Sequence, residues 1–399
     1  MGFVGYIRFK RGSIKRLKAL LVKVVSMTYR RAFDLPLHDG KAPRWLYERM
    51  VRLAKCVLAI IVDEYGPSGL LERIADPLWF QALACALGYD WDSSGTTTVT
   101  CSAIKEALKE KELGVRACGG KGKASKLTPQ EIVYVCKSYG MEDEASSFVR
   151  ISRLVAKIDT SAIQAGYQLY HHTFFIAEDG SWAVIQQGMR PVERLARRFH
   201  WLSAELKSFS EEPHKGIVGD TIHDRVLNLT DKESSEARRL CVDIAKEGPE
   251  KISRLLKVAT AKIRGPLDAW LQRRGVVDVE IYRLPKFVNW LALERALQLG
   301  PSSFEELLLI EGMGPLTIRS LALIAELIFG AKLSWRDPVK YSFAFGGKDG
   351  VPHPVDVKRM DEAISFLEEA VDKSNVDWRE KREALRRLAS LAARLSSHT

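Results

Sequence analysis

Ser302-Ser303-Phe304-Glu305-Glu306-Leu307-Leu308-Leu309-Ile310-Glu311-Gly312-Met313-Gly314-Pro315-Leu316-Thr317-Ile318-Arg319-Ser320-Leu321-Ala322 reads as two helices joined by a glycine bend. Ser302 followed by Glu305, or Ser303 followed by Glu306, makes a capping box that starts the first helix. Leu307, Leu308 and Ile310 give that helix an apolar face. Gly312 and Gly314 permit positive φ and a close backbone approach that a side chain would block. Pro315 suits the first turn of the second helix, where its missing N–H costs nothing.

The pattern resembles a helix-hairpin-helix, a module that grips nucleic-acid backbone without reading bases. Amides of Gly314, Leu316 and Thr317 would then face a phosphate, assisted by the helix dipole. The Thr317 hydroxyl would add a donor. Gly312, Arg319 and, farther along, Lys348 complete the expected nucleic-acid contacts. The competing reading is an ordinary helical corner whose glycines serve only the turn.

Outward from this stretch, composition sets bounds. The chain has 399 residues, 46% of them hydrophobic, which excludes a largely disordered protein and leaves room for two or three cores. Lys and Arg number 61 against 50 Asp and Glu, a net charge of +11 that suits a polyanion such as DNA or RNA. The N-terminus has dispersed Arg and Lys rather than the apolar core of a signal peptide. The apolar stretch at 56–62 is too short to span a bilayer, so no membrane role is expected. Six cysteines without a CxxC pair argue against a zinc ribbon or a disulfide framework and for reduced thiols in the cytoplasm. Only three asparagines among 28% charged residues is a composition that heat-adapted proteins share.

Periodicity predicts helices over 45–64, 76–87 and 98–111, then a flexible basic loop over 119–126 before a helix capped at Thr128-Pro129. The residues 171–176 and 181–187 read as two strands joined at Asp179-Gly180, a hairpin signal. A short strand is expected within 2–10, a Gly/His-rich linker at 213–219, and charged helices over 361–397. The expected fold is mainly α with a smaller α+β region, in several domains. These are an N-terminal α+β domain with the candidate active site (1–205), a helical middle region (206–284), and a helical domain carrying the hairpin (285–399).

The densest reactive cluster lies in the first of these: Lys157 and Asp159, then His171-His172, Gln186-Gln187 and Arg197-Arg198-Phe199-His200-Trp201. Successive strand residues point to opposite faces, so one histidine and one glutamine would meet Asp159 and Lys157. That set suits phosphodiester hydrolysis. Asp159 with His171 or His172 would hold a divalent metal (Mg or Mn), a histidine would serve as base, and Lys157 would stabilise charge on phosphorus. The candidate catalytic residues are therefore Lys157, Asp159, His171, His172 and Gln187. One carboxylate is too few for a two-metal site, and the alternative is one core and one surface histidine. A second group, Arg30, Arg31, Asp34, His38, Lys41 and Arg44, crowds a proline-bounded loop, and 90–95 reads as a cap for the helix at 98. Downstream, Lys340, Lys348 and His353 would line a phosphate track. DNA glycosylases place a lysine in the hairpin and an aspartate after it. Here Leu316 stands at the lysine position, and Asp337 or Asp356 would have to supply the acid.

Several strings resemble the DUF763 family, an uncharacterised group found mainly in archaea and some heat-loving bacteria. They are Ala32-Phe33-Asp34-Leu35-Pro36-Leu37-His38, Ala42-Pro43-Arg44-Trp45-Leu46 and Asp90-Trp91-Asp92-Ser93-Ser94-Gly95-Thr96-Thr97. Gly166-Tyr167-Gln168-Leu169-Tyr170-His171-His172, Trp182-Ala183-Val184-Ile185-Gln186-Gln187-Gly188-Met189 and Phe199-His200-Trp201 complete the set. The resemblance implies no activity, but it points to the region around His171. The leading expectation is a DNA nuclease acting in repair or genome maintenance. The alternatives are a glycosylase-like enzyme, a non-catalytic DNA-binding or architectural protein, and an RNA-processing protein.

Overall fold

The structure is a computed structural model describing residues 42, 44–88, 95–110, 112–193, 195–219, 221–264 and 284–342, with scattered positions between 365 and 387. Three helices come first: α1 (Arg44–Ala75), α2 (Pro77–Leu87) and α3 (Gly95–Glu110). The α1 span is two helical segments meeting at Gly66-Pro67, where Gly66 (φ 72°, ψ 175°) is not helical, so the end expected at 64 falls at this break. Asp76 caps α2, accepting from the amides of Leu78 at 2.9 Å and Trp79 at 3.1 Å.

Strand β1 (Val115–Lys121) follows, then α4 (Lys123–Lys126), α5 (Thr128–Tyr139) and α6 (Ala145–Lys157). The basic stretch expected as a loop is therefore the end of a strand and a short helix. A π-turn at Ile158–Ala162 leads through β2 (Ile163–Gln164) into the hairpin β3 (Gln168–Ala177) and β4 (Trp182–Arg190), which turns at Gly180. Next come β5 (Leu195–Leu202), β6 (Gly216–Gly219) and β7 (Leu227–Asn228). Helices α7 (Ser235–Ala245), α8 (Gly248–Arg264), α9 (Trp290–Leu299), α10 (Phe304–Leu309) and α11 (Pro315–Phe329) precede β8 (Tyr341–Ser342).

The expected hairpin is thus the centre of a six-stranded sheet of order β1-β3-β4-β5-β6-β8, antiparallel except for the β6–β8 pair. Both faces are covered, and the period of two along each strand sorts residues between them. Phe174, Ile176, Val184, Phe199 and Trp201 pack with α5 to α11, whereas Phe175, Ala177, Ala183, Ile185 and Leu202 pack with α1 to α3. The cluster on the first face runs from Cys118 to Val339, so residues on both sides of the boundaries expected near 205 and 284 share one core. The stretch expected as a linker at 213–219 contains β6 and belongs to the sheet. The expected strand within 2–10, the charged loop at 30–41, the cap at 90–94 and the site residues Lys348, His353 and Asp356 lie outside the described residues, as does most of 361–397.

Candidate functional site

The register of the sheet puts the two histidines on opposite faces. His172 pairs with Gln186, itself opposite Phe199, while His171 pairs with Gln187, itself opposite Arg198. The Asp159 cluster forms on the first of these faces. The π-turn widens the end of α6 and aims the Asp159 carboxylate at the sheet, where its side chain is fully buried. His214 Nε2 lies 2.5 Å from Oδ1, and Oδ2 accepts from Gln186 Nε2 at 2.5 Å and Trp201 Nε1 at 3.1 Å. The Gln186 carbonyl accepts from His172 Nδ1 at 2.8 Å, and His172 Nε2 meets the Ser152 hydroxyl at 2.8 Å.

The result is a closed relay, Ser152–His172–Gln186–Asp159–His214, with every member buried. Burial raises the Asp159 carboxyl above its ordinary range, against the pull of the His214 charge and three hydrogen bonds. Burial holds His172 neutral, with a pKa lowered to about 4. A carboxylate with both oxygens engaged by protein donors is built as a structural strut.

Lys157 is not part of this relay. Its ammonium donates to the Met313 carbonyl at 2.5 Å, in the glycine bend far along the chain. Burial lowers its pKa. Among the described residues, no group of three or more His, Cys, Asp or Glu side chains is arranged to hold a metal ion.

The second cluster lines the opposite face. Lys121, His171, Gln187 and Arg198 stand in register across four neighbouring strands, with Thr173 and His200 in the adjacent row. His171 Nε2 contacts Thr173 Oγ1 at 3.0 Å, while its Nδ1 is buried without a partner. Gln187 donates to the Tyr170 hydroxyl. The Arg198 guanidinium bonds His200 at 2.8 Å and Gln81 at 3.1 and 3.2 Å, and lies 4.8 Å from the Phe80 ring centre. Burial depresses His171 to about 3 and His200 well below the usual imidazole value. The face of β3 is therefore as polar within as the sequence cluster implied, but its two histidines serve separate sites.

The third element is the bend itself. Ser303 caps α10, accepting from the Glu306 amide at 3.2 Å, and Glu306 reaches back to the Ser302 amide at 2.8 Å. Gly312 has φ 83°, and a Cβ there would lie 2.6 Å from Asn289 Nδ2. Gly314, in contrast, is extended (φ −121°, ψ 177°), so it needs no glycine on conformational grounds. Pro315 opens α11 as expected.

Four carbonyls of the bend are tied to the body. Arg295 Nη1 holds Glu311 O at 3.1 Å, Asn289 Nδ2 holds Gly312 O at 3.1 Å, Lys157 holds Met313 O, and Gln164 Nε2 holds Pro315 O at 2.9 Å. Among the described residues the amides of Gly314, Leu316 and Thr317 have no acceptor. Gly312, Pro315 and Leu316 are exposed. Thr317 is buried, and its hydroxyl accepts from the Asn289 amide at 3.1 Å rather than facing outward. Arg319 is partly buried, its guanidinium 5.4 Å from the Trp335 ring centre.

Sequence reasoning missed several members of these sites. His214 sat in a presumed linker, and Ser152 sat on a helix with no distinguishing pattern. Arg197 and Arg198 lay within the expected cluster without an assigned role, and they interrupt the apolar alternation of β5. Arg197 forms a fully buried ion pair with Asp337 at 2.6 Å, and Asp337 also accepts from the His223 amide at 2.9 Å.

The chain matches the family described as Protein of unknown function (DUF763) over residues 31–355 and belongs to it. No curated protein and no solved structure matches it.

Proposed function

We propose that this DUF763 protein processes nucleic acid and holds the phosphodiester backbone at the bend formed by residues 312–317. The observation that carries the reading is the polarity of the bend. Its carbonyls are turned inward onto Arg295, Asn289, Lys157 and Gln164, and its open amides stand at the N-terminus of the 15-residue helix α11. A pinned main chain whose amides lack acceptors at a positive dipole end favours an anion and loses little order on binding it. Lys286 and two aromatic side chains, Phe287 and Trp290, are exposed beside Asn289, which itself bonds the bend. The net charge of +11 has the matching sign.

The enzymatic form of this reading is a DNA nuclease in repair or genome maintenance, because a grip blind to sequence suits backbone cleavage. A non-catalytic DNA-binding role is favoured by one specific observation, the engagement of both Asp159 oxygens within the core. The glycosylase reading loses its described acid, since Asp337 is locked to Arg197.

The test uses labelled single- and double-stranded DNA and RNA, with Mg²⁺, Mn²⁺ or EDTA. Binding is expected to weaken steeply with salt. Gly312→Val, which places methyl groups against Asn289 and forces a β-branched residue to positive φ, is expected to weaken binding to all sequences alike. Unchanged affinity in that variant, with its fold intact, removes the bend as the contact.

A further inference from the structure

A cavity of about 570 Å³ opens between α3, the start of α1 and the β1–α4 corner, on the face of the sheet that carries His171. It is separate from the glycine bend, which packs with the opposite helical layer. Its size falls in the range of small-ligand sites. Four cationic side chains, Arg44, Lys105, Lys109 and Lys121, line it, against one carboxylate, Glu106.

These cations are not equivalent. Lys105 Nζ holds Gly119 O at 2.8 Å and Glu131 at 2.6 Å, and Glu131 also accepts from the Gly119 amide at 2.6 Å. Gly119 belongs to the outermost strand, so this pair satisfies backbone groups that an edge leaves open. A Cβ at Gly119 would lie 2.3 Å from the His172 carbonyl, which is why the strand runs this close to its neighbours. Lys109 pairs with Glu106 at 3.1 Å, and Arg44 with the exposed Glu48 at 2.8 Å. Lys121 has no carboxylate partner among the described residues; its amine stands 6.0 Å from the Tyr170 ring centre.

Behind one lining residue, Thr173, lies a buried imidazole with a free hydrogen-bonding atom. Thr173 lines the cavity and bonds His171, whose neighbour in the register is Lys121. His171 is 1% exposed, and its Nδ1 has no partner. Buried polar atoms without partners are rare in native proteins and mark places where a water, ion or ligand completes the set. Thr98 and Ser102 also line the wall, the Thr98 hydroxyl donating to Gly95 O at 3.0 Å and the Ser102 hydroxyl paired with that of Tyr47 at 2.8 Å.

We propose that this cavity binds a phosphoryl group carried by a molecule of nucleotide size, with Lys121 and Lys109 neutralising the phosphate and Thr173, backed by His171, meeting its polar remainder. A strongly hydrated dianion needs several cationic or N–H donors converging on one side, and hydroxyl donors adapt to its oxygens. The same phosphoryl chemistry is offered by a free mononucleotide and by the phosphorylated end of a strand.

Isothermal titration of the full chain separates these sources. The probes are inorganic phosphate, a nucleoside monophosphate, the matching nucleoside, and a dinucleotide with and without a terminal phosphate. The monophosphate or the phosphorylated dinucleotide is expected to bind, and the nucleoside to show no heat. A monophosphate that binds identifies a free nucleotide as the ligand; the phosphorylated dinucleotide alone identifies a strand end. The double variant Lys109→Gln, Lys121→Gln is expected to lose at least tenfold in affinity, while Gly312→Val leaves this binding intact. Lys105 is left alone because it clamps the edge strand. Absence of binding by every phosphorylated probe overturns the proposal, as does equal binding of the nucleoside or an unaffected double variant with an unchanged melting temperature.

Discussion

Replacing Asp159 distinguishes a strut from a catalytic group. In Asp159→Ala, His214 Nε2, Gln186 Nε2 and Trp201 Nε1 all lose their acceptor inside the core. An unsatisfied buried polar group costs about 1–3 kcal/mol. Part of that is recovered because a carboxylate no longer has to be desolvated, so the net loss falls at about 3–5 kcal/mol, the scale for breaking a buried pair. Against a total stability on the order of 5–15 kcal/mol, this is about a fifth or more. Asp159→Asn keeps the shape and one acceptor oxygen but turns an amide N–H₂ toward Gln186 or His214. Its cost is about 1–2 kcal/mol. Urea unfolding followed by fluorescence, with m compared across variants, measures both. An alanine variant within about 1 kcal/mol of the parent refutes the strut argument. An asparagine variant with parental stability and no residual cleavage of a phosphodiester substrate would return Asp159 to catalysis.

Two further outcomes follow from the same geometry. Phe287 is 77% and Trp290 42% exposed beside the bend, where unpaired bases next to a held phosphate would stack on them. Phe287→Ala and Trp290→Ala are expected to weaken single-strand binding by about 1–3 kcal/mol per stacked base and duplex binding far less; equal losses on both, in fluorescence anisotropy, exclude stacking. The buried imidazoles make stability sensitive to acid. His171 and His172 are held neutral by burial, with pKa values near 3 and 4, whereas an unfolded chain takes up these protons near pH 6.5. Lowered folded values mean stability is full above pH 6.5 and is lost as pH falls toward 4 and then 3. In thermal melts, His172→Gln is expected to flatten this decline over pH 4–6.5; an unchanged slope there assigns the acid sensitivity elsewhere.

Local signals carried most of the helical layout. The Asp76-Pro77 start, the Asp179-Gly180 turn and the Ser303 cap all describe interactions within a few residues, and each is found where the pattern places it. The expected cap Thr128, in contrast, is the first residue of α5 and donates its hydroxyl to Ser125 O at 2.7 Å. What was not legible depends on distant pairing. Nothing in 115–121 or 216–219 alternates strongly enough to announce a strand, and β1 is rich in glycine because it lies tight against β3 and α5. The packing of residues from both sides of positions 205 and 284 into one hydrophobic cluster has no local signature. The candidate site divides in the same way. That adjacent histidines would part to opposite faces followed from the pleat alone. That Asp159 joins His172, Gln186 and His214 while Lys157 crosses to Met313 follows from tertiary packing that no spacing encodes.

That division bears on how one sheet can serve two ends. On the face toward α5 to α11 the members of the relay satisfy one another, from Ser152 to His214, and lie among buried aromatic rings. Satisfied networks of this kind rigidify what they join. This one links α6, the π-turn, β3, β4 and the segment before β6. Lys157, two residues before Asp159 at the end of α6, carries that rigidity to Met313. The bend is thus braced against the same strands that present His171 and Lys121 on the other side. A phosphodiester held at the bend and a phosphoryl group in the cavity would therefore be set at a fixed separation by the relay, not by a flexible linker. Weakening the relay, rather than either contact, is the change that should uncouple the two.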